Sequence, residues 1–299
     1  MALDLGCVGT TSGAHTLRVD WRTLATYALG IGAKRDELDY LYEGTEGGMQ
    51  VYPTFAVVPA FGPVFECLAR TGGDVAMVVH GAQTVAVREP MPRLRGVEAI
   101  ELSTTGKLEA LYDLKKFGQA IVRTETSLDG RVLFETSWMI IYRGGGNFGG
   151  PRPPADHDVP SVPKDRDADF TATEVTTAEQ ALLYRLSGDQ NPLHADPAFA
   201  ARVGFEQGPI LHGLCTFGFL GRAVVRHACG GDPTKLERLV AGFKKPVWPG
   251  DALTTKGFRL EGPSEQRIAL TTSVLERGEV VLGSAYAQIA RSDVNEQSM

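Results

Sequence analysis

Asp189, Asn191 and His194 fall within six residues, in Ser187-Gly188-Asp189-Gln190-Asn191-Pro192-Leu193-His194. Gly188 and Pro192 disfavour a continuous helix there, so the spacing predicts an irregular segment that aims its polar groups at one small volume. An aspartate and a histidine so placed suit the addition or removal of water. One group takes a proton from water, the other supplies one to the substrate, and no covalent intermediate forms. An imidazole with an ordinary pKa of about 6.5 works near neutral pH. The pattern taken alone also fits a plain loop, with Asp189 capping the next turn and Asn191 and Asp196 as turn residues.

Gly213 adds a second chemical feature. Pro209-Ile210-Leu211 reads as an extended approach to a helix that starts at Gly213. A helix N-terminus presents unpaired N–H groups and partial positive charge, and glycine lets a ligand come close to it. Such an N–H can polarise a thioester carbonyl and stabilise an enolate. Gly213 serves equally as a packing glycine.

The elements that must position these residues are legible around them. Thr176-Thr177-Ala178-Glu179 has the form of a capping box and predicts a short helix through Leu186. Asp196-Pro197 predicts an N-cap with proline at the first helical position and a helix through Arg202. Residues 213–227 are apolar nearly all round, which predicts a buried helix. Its Gly213, Gly218 and Gly221 imply close backbone packing. Strands are expected at 238–247, 252–260, 266–275 and 279–290, with turns at Pro249-Gly250-Asp251 and Glu261-Gly262-Pro263. One buried helix followed by an antiparallel sheet that wraps it is an α+β arrangement.

Four matches in the same order suggest an internal duplication. Residues 126–143 and 272–291 each read as strand, tight turn and long strand, with turns at Asp129-Gly130 and Arg277-Gly278. Val78-Val79-His80-Gly81 is set against Ile210-Leu211-His212-Gly213, Pro90-Met91-Pro92 against Pro246-Val247-Trp248-Pro249, and Tyr27-Ala28-Leu29-Gly30 against Tyr184-Arg185-Leu186-Ser187. The division expected is an N-terminal half (1–142), a Gly/Pro-rich linker (143–169) and a C-terminal half (170–299).

Length and composition agree with this frame. The 299 residues are 43% apolar and 22% charged, enough for one large domain or two ordinary ones. A net charge of −6 is a poor basis for nucleic-acid binding. No apolar run is long enough for a transmembrane helix, and no secretory leader is visible. Cys7, Cys67, Cys215 and Cys229 are far apart, without a Cys-x-x-Cys pair, which argues against a disulfide framework or zinc site. No metal is expected.

The stretch SGDQNPLHADPAFAARVGFEQGPILHGLCTFG closely resembles the signature of (R)-specific enoyl-CoA hydratases, the type 2 or MaoC-like family, and especially the hydratase module of peroxisomal multifunctional β-oxidation enzymes. ALGIGA (28–33), ELDYLYEG (37–44), PTFAVV (53–58) and ETSWMIIYRGGGNFGG (135–150) resemble the N-terminal half of the same family. The resemblance implies a double hot-dog fold, in which each half curls an antiparallel sheet around a helix. It implies reversible hydration of trans-2-enoyl-CoA to (3R)-3-hydroxyacyl-CoA without metal or redox cofactor, coenzyme A being part of the substrate. By the same resemblance Asp189 and His194 are the acid/base pair holding the water, Asn191 orients them, and the Gly213 amide is the oxyanion donor. Substrate contacts are implied at His80, Gly81, Lys115 (or Lys116), Gln190, Pro192, Leu193 and Phe243. A homodimer is also implied by the family.

One departure is a loop, Phe205-Glu206-Gln207-Gly208-Pro209, one residue longer than the family pattern. At the place of Ser187-Gly188-Asp189 the first half has Gly30-Ile31-Gly32, with no following Asn or His. One active site per chain is therefore expected at the joint between halves, the other half giving room for the acyl tail. Lys244, Lys245, Arg88, Arg93, Arg95 and Lys115 are candidates for the coenzyme phosphates. His212 is expected to have a structural or thioester-positioning role rather than one in proton transfer, being matched by His80 in the half without the acid/base loop. The alternatives are a hot-dog acyl-CoA thioesterase and a non-catalytic acyl-CoA-binding subunit. The C-terminal Asn-Glu-Gln-Ser-Met is not a Ser-Lys-Leu address, so the cytoplasm is the default expectation, or the peroxisome for a eukaryotic chain or a module of a larger enzyme.

Overall fold

The computed structural model describes residues 2–74, 78–154, 159–261 and 266–290. Alternating burial marks the long strands, as expected where one face packs on a core. In the first half β1 (His15–Asp20) leads into α1 (Trp21–Gly30), then α2 (Val57–Ala69), β2 (Val78–Val87), β3 (Ala99–Asp113), β4 (Phe117–Leu128) and β5 (Arg131–Arg143). The second half has β6 (Phe170–Val175), α3 (Gln180–Tyr184), α4 (Pro197–Arg202), α5 (Gly213–His227), β7 (Leu236–Phe243), β8 (Ala252–Arg259), β9 (Gln266–Val274) and β10 (Val280–Ile289). Asp129 and Gly130 both lie at positive φ (51° and 79°), the turn that matches strand twist, and so close the β4–β5 hairpin.

The strands form one sheet in the order β1-β3-β4-β5-β2-β7-β10-β9-β8-β6. Each described pair is antiparallel. The order reads as two five-stranded copies, β1-β3-β4-β5-β2 and β6-β8-β9-β10-β7, joined edge to edge by β2 and β7. The joining ladder runs from Ala82↔Gly242 to Ala86↔Arg238 and is centred on Thr84↔Val240. Pairing the two inner edges removes exposed ladder groups at the middle of the sheet.

Each copy has its own central helix, α2 or α5. Twelve of the fifteen residues of α5 are buried. A Cβ at Gly218 would lie 2.2 Å from Ile31, and one at Gly221 2.5 Å from Thr54, so these glycines do allow first-half backbone to approach. α1 and α3 also meet across the joint, with the Tyr27 and Tyr184 rings 6.2 Å apart.

A buried charge cluster ties the copies together. Arg222 of α5 donates to Glu37 of the first half at 2.5 Å, to Glu174 of β6 at 2.7 Å and to the Ile31 carbonyl at 3.2 Å. Tyr52 donates to the other oxygen of Glu37. Burial disfavours the charged Glu37 carboxylate, but the Arg222 and Tyr52 bonds hold its pKa below the ordinary value.

Several sequence expectations need correction. The Thr176/Glu179 capping box does not form: Glu179 makes no side-chain cap, and Thr176 Oγ1 instead bonds the Gly250–Asp251 turn. β7 runs 236–243 rather than 238–247, because Pro246 cannot donate to a ladder. His80-Gly81 is not the counterpart of His212-Gly213: the former lies within β2, whose counterpart is β7, and the latter opens α5, whose counterpart is α2. The other three matches join corresponding elements. In the Glu261-Gly262-Pro263 turn, positions 262 and 263 lie outside the described residues, as do linker residues 155–158.

Candidate active site

The loop between α3 and α4 is shaped by its own polar groups. Gly188, at φ 127°, ends the 3-10 turn that follows α3. Asp189 Oδ1 accepts the Asn191 N–H at 3.1 Å, and Asn191 Oδ1 accepts the Leu193 N–H at 3.0 Å. These bonds start the Pro192–His194 turn and bring His194 inward. Asp196 then caps α4 through the Ala198 and Phe199 N–H groups, as the Asp-Pro pair predicts.

His194 Nδ1 lies 2.8 Å from the Ile210 carbonyl. A carbonyl only accepts, so Nδ1 carries the proton and Nε2 keeps a free lone pair. Burial lowers the His194 pKa, while the Asp189 carboxylate and the Ile210 carbonyl oppose that shift. Ligand-type atoms of Asp189, His194 and His212 lie within 4.8 Å of one another. The two imidazoles are stacked at 3.7 Å with 27° between planes. His212 Nε2 is already paired with the Asp189 carbonyl. Stacked rings hold their remaining lone pairs in near-parallel planes, which does not suit ligands converging on one metal.

The N-terminus of α5 faces the same volume. His212 is its N-cap residue but makes no side-chain cap. Among the described residues the Gly213 and Leu214 N–H groups have no acceptor. By contrast, Asp20 and Asp196 cap α1 and α4. The longer Phe205–Pro209 segment is absorbed by a turn closed by the Gly208 N–H to the Phe205 carbonyl, and Leu211 is anchored to Val247. Gly213 thus keeps its place as the first residue of α5.

These groups line a cavity of about 370 Å³. Asp189, Asn191, Leu193, His194, Gly213, His80 and Phe243 line it. Gly81, Lys115, Gln190 and Pro192 do not. Gly81 is a bulge in β2, where a Cβ would crowd Met139 and Ile141. Lys115 sits at φ 68° in the β3–β4 turn, its N–H bonded to Asp113. Gln190 and Pro192 are exposed. Of the cationic candidates, Lys244 and Lys245 line the cavity, both exposed; Arg88 is paired with Glu135.

Sequence reasoning missed much of the apolar wall. Phe61 and Phe65 of α2, Trp138 of β5 and Phe199 and Phe205 of the second half line the cavity. Trp138 stacks on His80 at 5.0 Å, and His80 meets Phe243 at 4.7 Å. Desolvation of the half-buried ring drives the His80 pKa down to about 4 despite bonds from its neighbours. The matching place in the first half, near the start of α2 and the end of β2, holds a pocket of only about 30 Å³ lined by Val51, Pro53, Met91 and Thr234, without an acid/base pair.

Two family models match the chain. Residues 18–144 match the MFE-2 hydratase 2 N-terminal domain and residues 161–279 the MaoC like domain. The chain is 36% identical over 269 residues to the 3-hydroxyacyl-thioester dehydratase Y of Mycobacterium tuberculosis, covering 87% of this chain and 89% of that protein. It is 36% identical over 289 residues to the peroxisomal enoyl-CoA hydratase 2 of Arabidopsis thaliana, covering 90% and 89%. A crystal structure of a MaoC-like dehydratase from Phytophthora capsici superposes with TM-score 0.82 at 28% identity, covering 96% of this chain and 98% of that one. A Mycobacterium tuberculosis protein described as a double hotdog fold shares the architecture at TM-score 0.58 and 14% identity, covering 95% and 96%. No helix among the described residues is long and apolar enough to cross a membrane. With its paired five-stranded copies and these matches, the chain is a double hot-dog protein and belongs to the MaoC-like, type 2 enoyl-CoA hydratase family.

Proposed function

We propose that this chain hydrates trans-2-enoyl-CoA reversibly to (3R)-3-hydroxyacyl-CoA, with Asp189 and His194 as its acid/base pair and Gly213 as its oxyanion donor. The observation that carries the reading is the meeting, in one cavity, of the Asp189 carboxylate, a His194 Nε2 with a free lone pair, and the uncapped N-terminus of α5. A water placed between Asp189 and Nε2 donates one hydrogen to each. Loss of a proton to this pair lets its oxygen form the bond to C3. The π electrons move onto the thioester oxygen as an enolate, which the Gly213 N–H stabilises. The pair returns a proton to C2, so one water adds in total and no bond to the protein forms. Asn191 acts by holding the loop that presents Asp189 and His194.

No metal takes part in this reading. The substrate's acyl tail lies along the first-half wall of Phe61, Phe65 and Trp138, while Lys244 and Lys245 at the mouth suit anionic phosphates. The small first-half pocket supports one active site per chain. Names of relatives, an enoyl-CoA hydratase and a 3-hydroxyacyl-thioester dehydratase, describe the two directions of one such reaction. The setting that follows is β-oxidation or related acyl-CoA metabolism.

The test is turnover of trans-2-enoyl-CoA by the wild-type chain and by Asp189→Asn and His194→Ala. Loss of enoyl absorbance without thiol release is expected, cut at least ~10²-fold in each variant. Release of free thiol would favour thioester hydrolysis, and near-normal turnover in either variant would sink the acid/base assignment.

A further inference from the structure

His212 stands outside the reacting volume but touches each part that bounds it. It is 1% exposed and does not line the cavity. Its Nε2 lies 3.1 Å from the Asp189 main-chain carbonyl, so Nε2 carries the proton and donates. Its ring stacks on His194 at 3.7 Å, and Tyr184 packs on it at 4.9 Å. Its own carbonyl accepts the first helical bonds of α5, from Cys215 at 3.1 Å and Thr216 at 3.2 Å. One residue therefore contacts the acid/base loop at both functional ends and is joined to the helix start that supplies Gly213.

We infer that His212 is a positioning residue for the hydration reaction: its Nε2–H fixes the Asp189 main chain while its ring face fixes the plane of His194 relative to the Gly213 amide. This inference rests on the reaction proposed above. Geometry explains why a histidine serves. The imidazole supplies a flat face for stacking and an edge donor for a carbonyl, whereas an aliphatic side chain supplies neither. The groups facing it are His194, Asp189, Tyr184 and Arg185. Burial above all, then the neighbouring His194, pushes its pKa to about 2. It therefore stays neutral where His194 works and adds no charge beside that base. A role in proton transfer is not required of it, because another ring lies between it and the cavity.

The test compares His212→Phe, which keeps a stacking face but loses the donor, with His212→Gln, which keeps an N–H donor. Melting temperature and folded fraction are measured for both, and activity is expressed per folded site. In His212→Phe, kcat is expected to fall about 10- to 100-fold with KM changed less than about threefold, since loss of reactive geometry acts on turnover. The acid limb of kcat should also move, and His212→Gln should recover part of kcat. Nitrogen NMR of the His194 ring gives a readout independent of turnover: its titration midpoint should change in His212→Phe. An unchanged His194 titration together with wild-type kcat per folded site would overturn the proposal while leaving the hydratase reading intact. A wild-type chain without hydration, but with a changed His194 titration in His212→Phe, would instead refute the reaction and leave the positioning contact standing.

Discussion

Replacing His80 by phenylalanine should make the protein more resistant to acid, by an amount the structure sets. His80 is half-buried between Trp138 and Phe243, and its enclosed Nε2 has no hydrogen-bond partner among the described residues. The ring protonates near pH 6.5 in an unfolded chain but only at about 4 in the folded one. The folded state therefore binds fewer protons, so its stability falls as the pH drops from 6.5 towards 4. Above the upper value His80 makes no pH-dependent contribution, and below the lower one no further loss occurs. The slope for one such group is ~1.4 kcal/mol per pH unit, giving a total of ~3 kcal/mol across this window. Carboxylates with lowered pKa values, such as Glu37, also lose stability in acid, so the informative quantity is the difference between wild type and variant. Reversible urea unfolding followed by far-ultraviolet circular dichroism at pH 7, 6, 5 and 4 measures it. Relative to its own value at pH 7, His80→Phe should lose ~3 kcal/mol less than wild type by pH 4. Parallel stability curves for the two proteins would refute the argument that His80 is held neutral by burial.

Two further perturbations separate fold from chemistry. Arg222→Met removes the cation between Glu37 and Glu174 and leaves two carboxylates facing one another, so unfolding stability should drop by ~3–5 kcal/mol, read from urea midpoints. Gly213→Ala places a methyl group 3.1 Å from the Phe243 ring at the cavity wall. Alanine favours a helix by ~1 kcal/mol over glycine, so the melting temperature should change little while turnover falls ~10-fold or more as substrate is kept from the Gly213 N–H. Wild-type turnover in that variant would remove Gly213 from the oxyanion role.

Local grammar made the second half largely readable. The Asp-x-Asn-x-x-His loop, the Asp196-Pro197 cap and the apolar run of α5 each carry their signal within a few residues. The same locality explains the errors. Two apolar residues followed by His-Gly suit a bulged strand at His80-Gly81 and a strand-to-helix entry at His212-Gly213, and only strand order distinguishes them. α2 contains Pro59, Gly62 and Pro63, which mask its helical pattern, so the wall made by Phe61 and Phe65 was not seen. Lys115, a contact implied by the resemblance, lies off the cavity lining in a left-handed turn beside Asp113 that is fixed by contacts with the linker, where Asn147 and Gly149 donate to the same carboxylate. The Arg222–Glu37 pair spans 185 residues and has no local signature.

Product stereochemistry measured during wild-type turnover bears most directly on the central claim. A trans-2-enoyl-CoA substrate is followed by its enoyl absorbance and by a thiol reagent, and the 3-hydroxyacyl product is resolved by chiral chromatography. The account predicts loss of the enoyl signal, no thiol release and a (3R) product. A (3S) product, or free coenzyme A in place of a hydroxyacyl thioester, would contradict it.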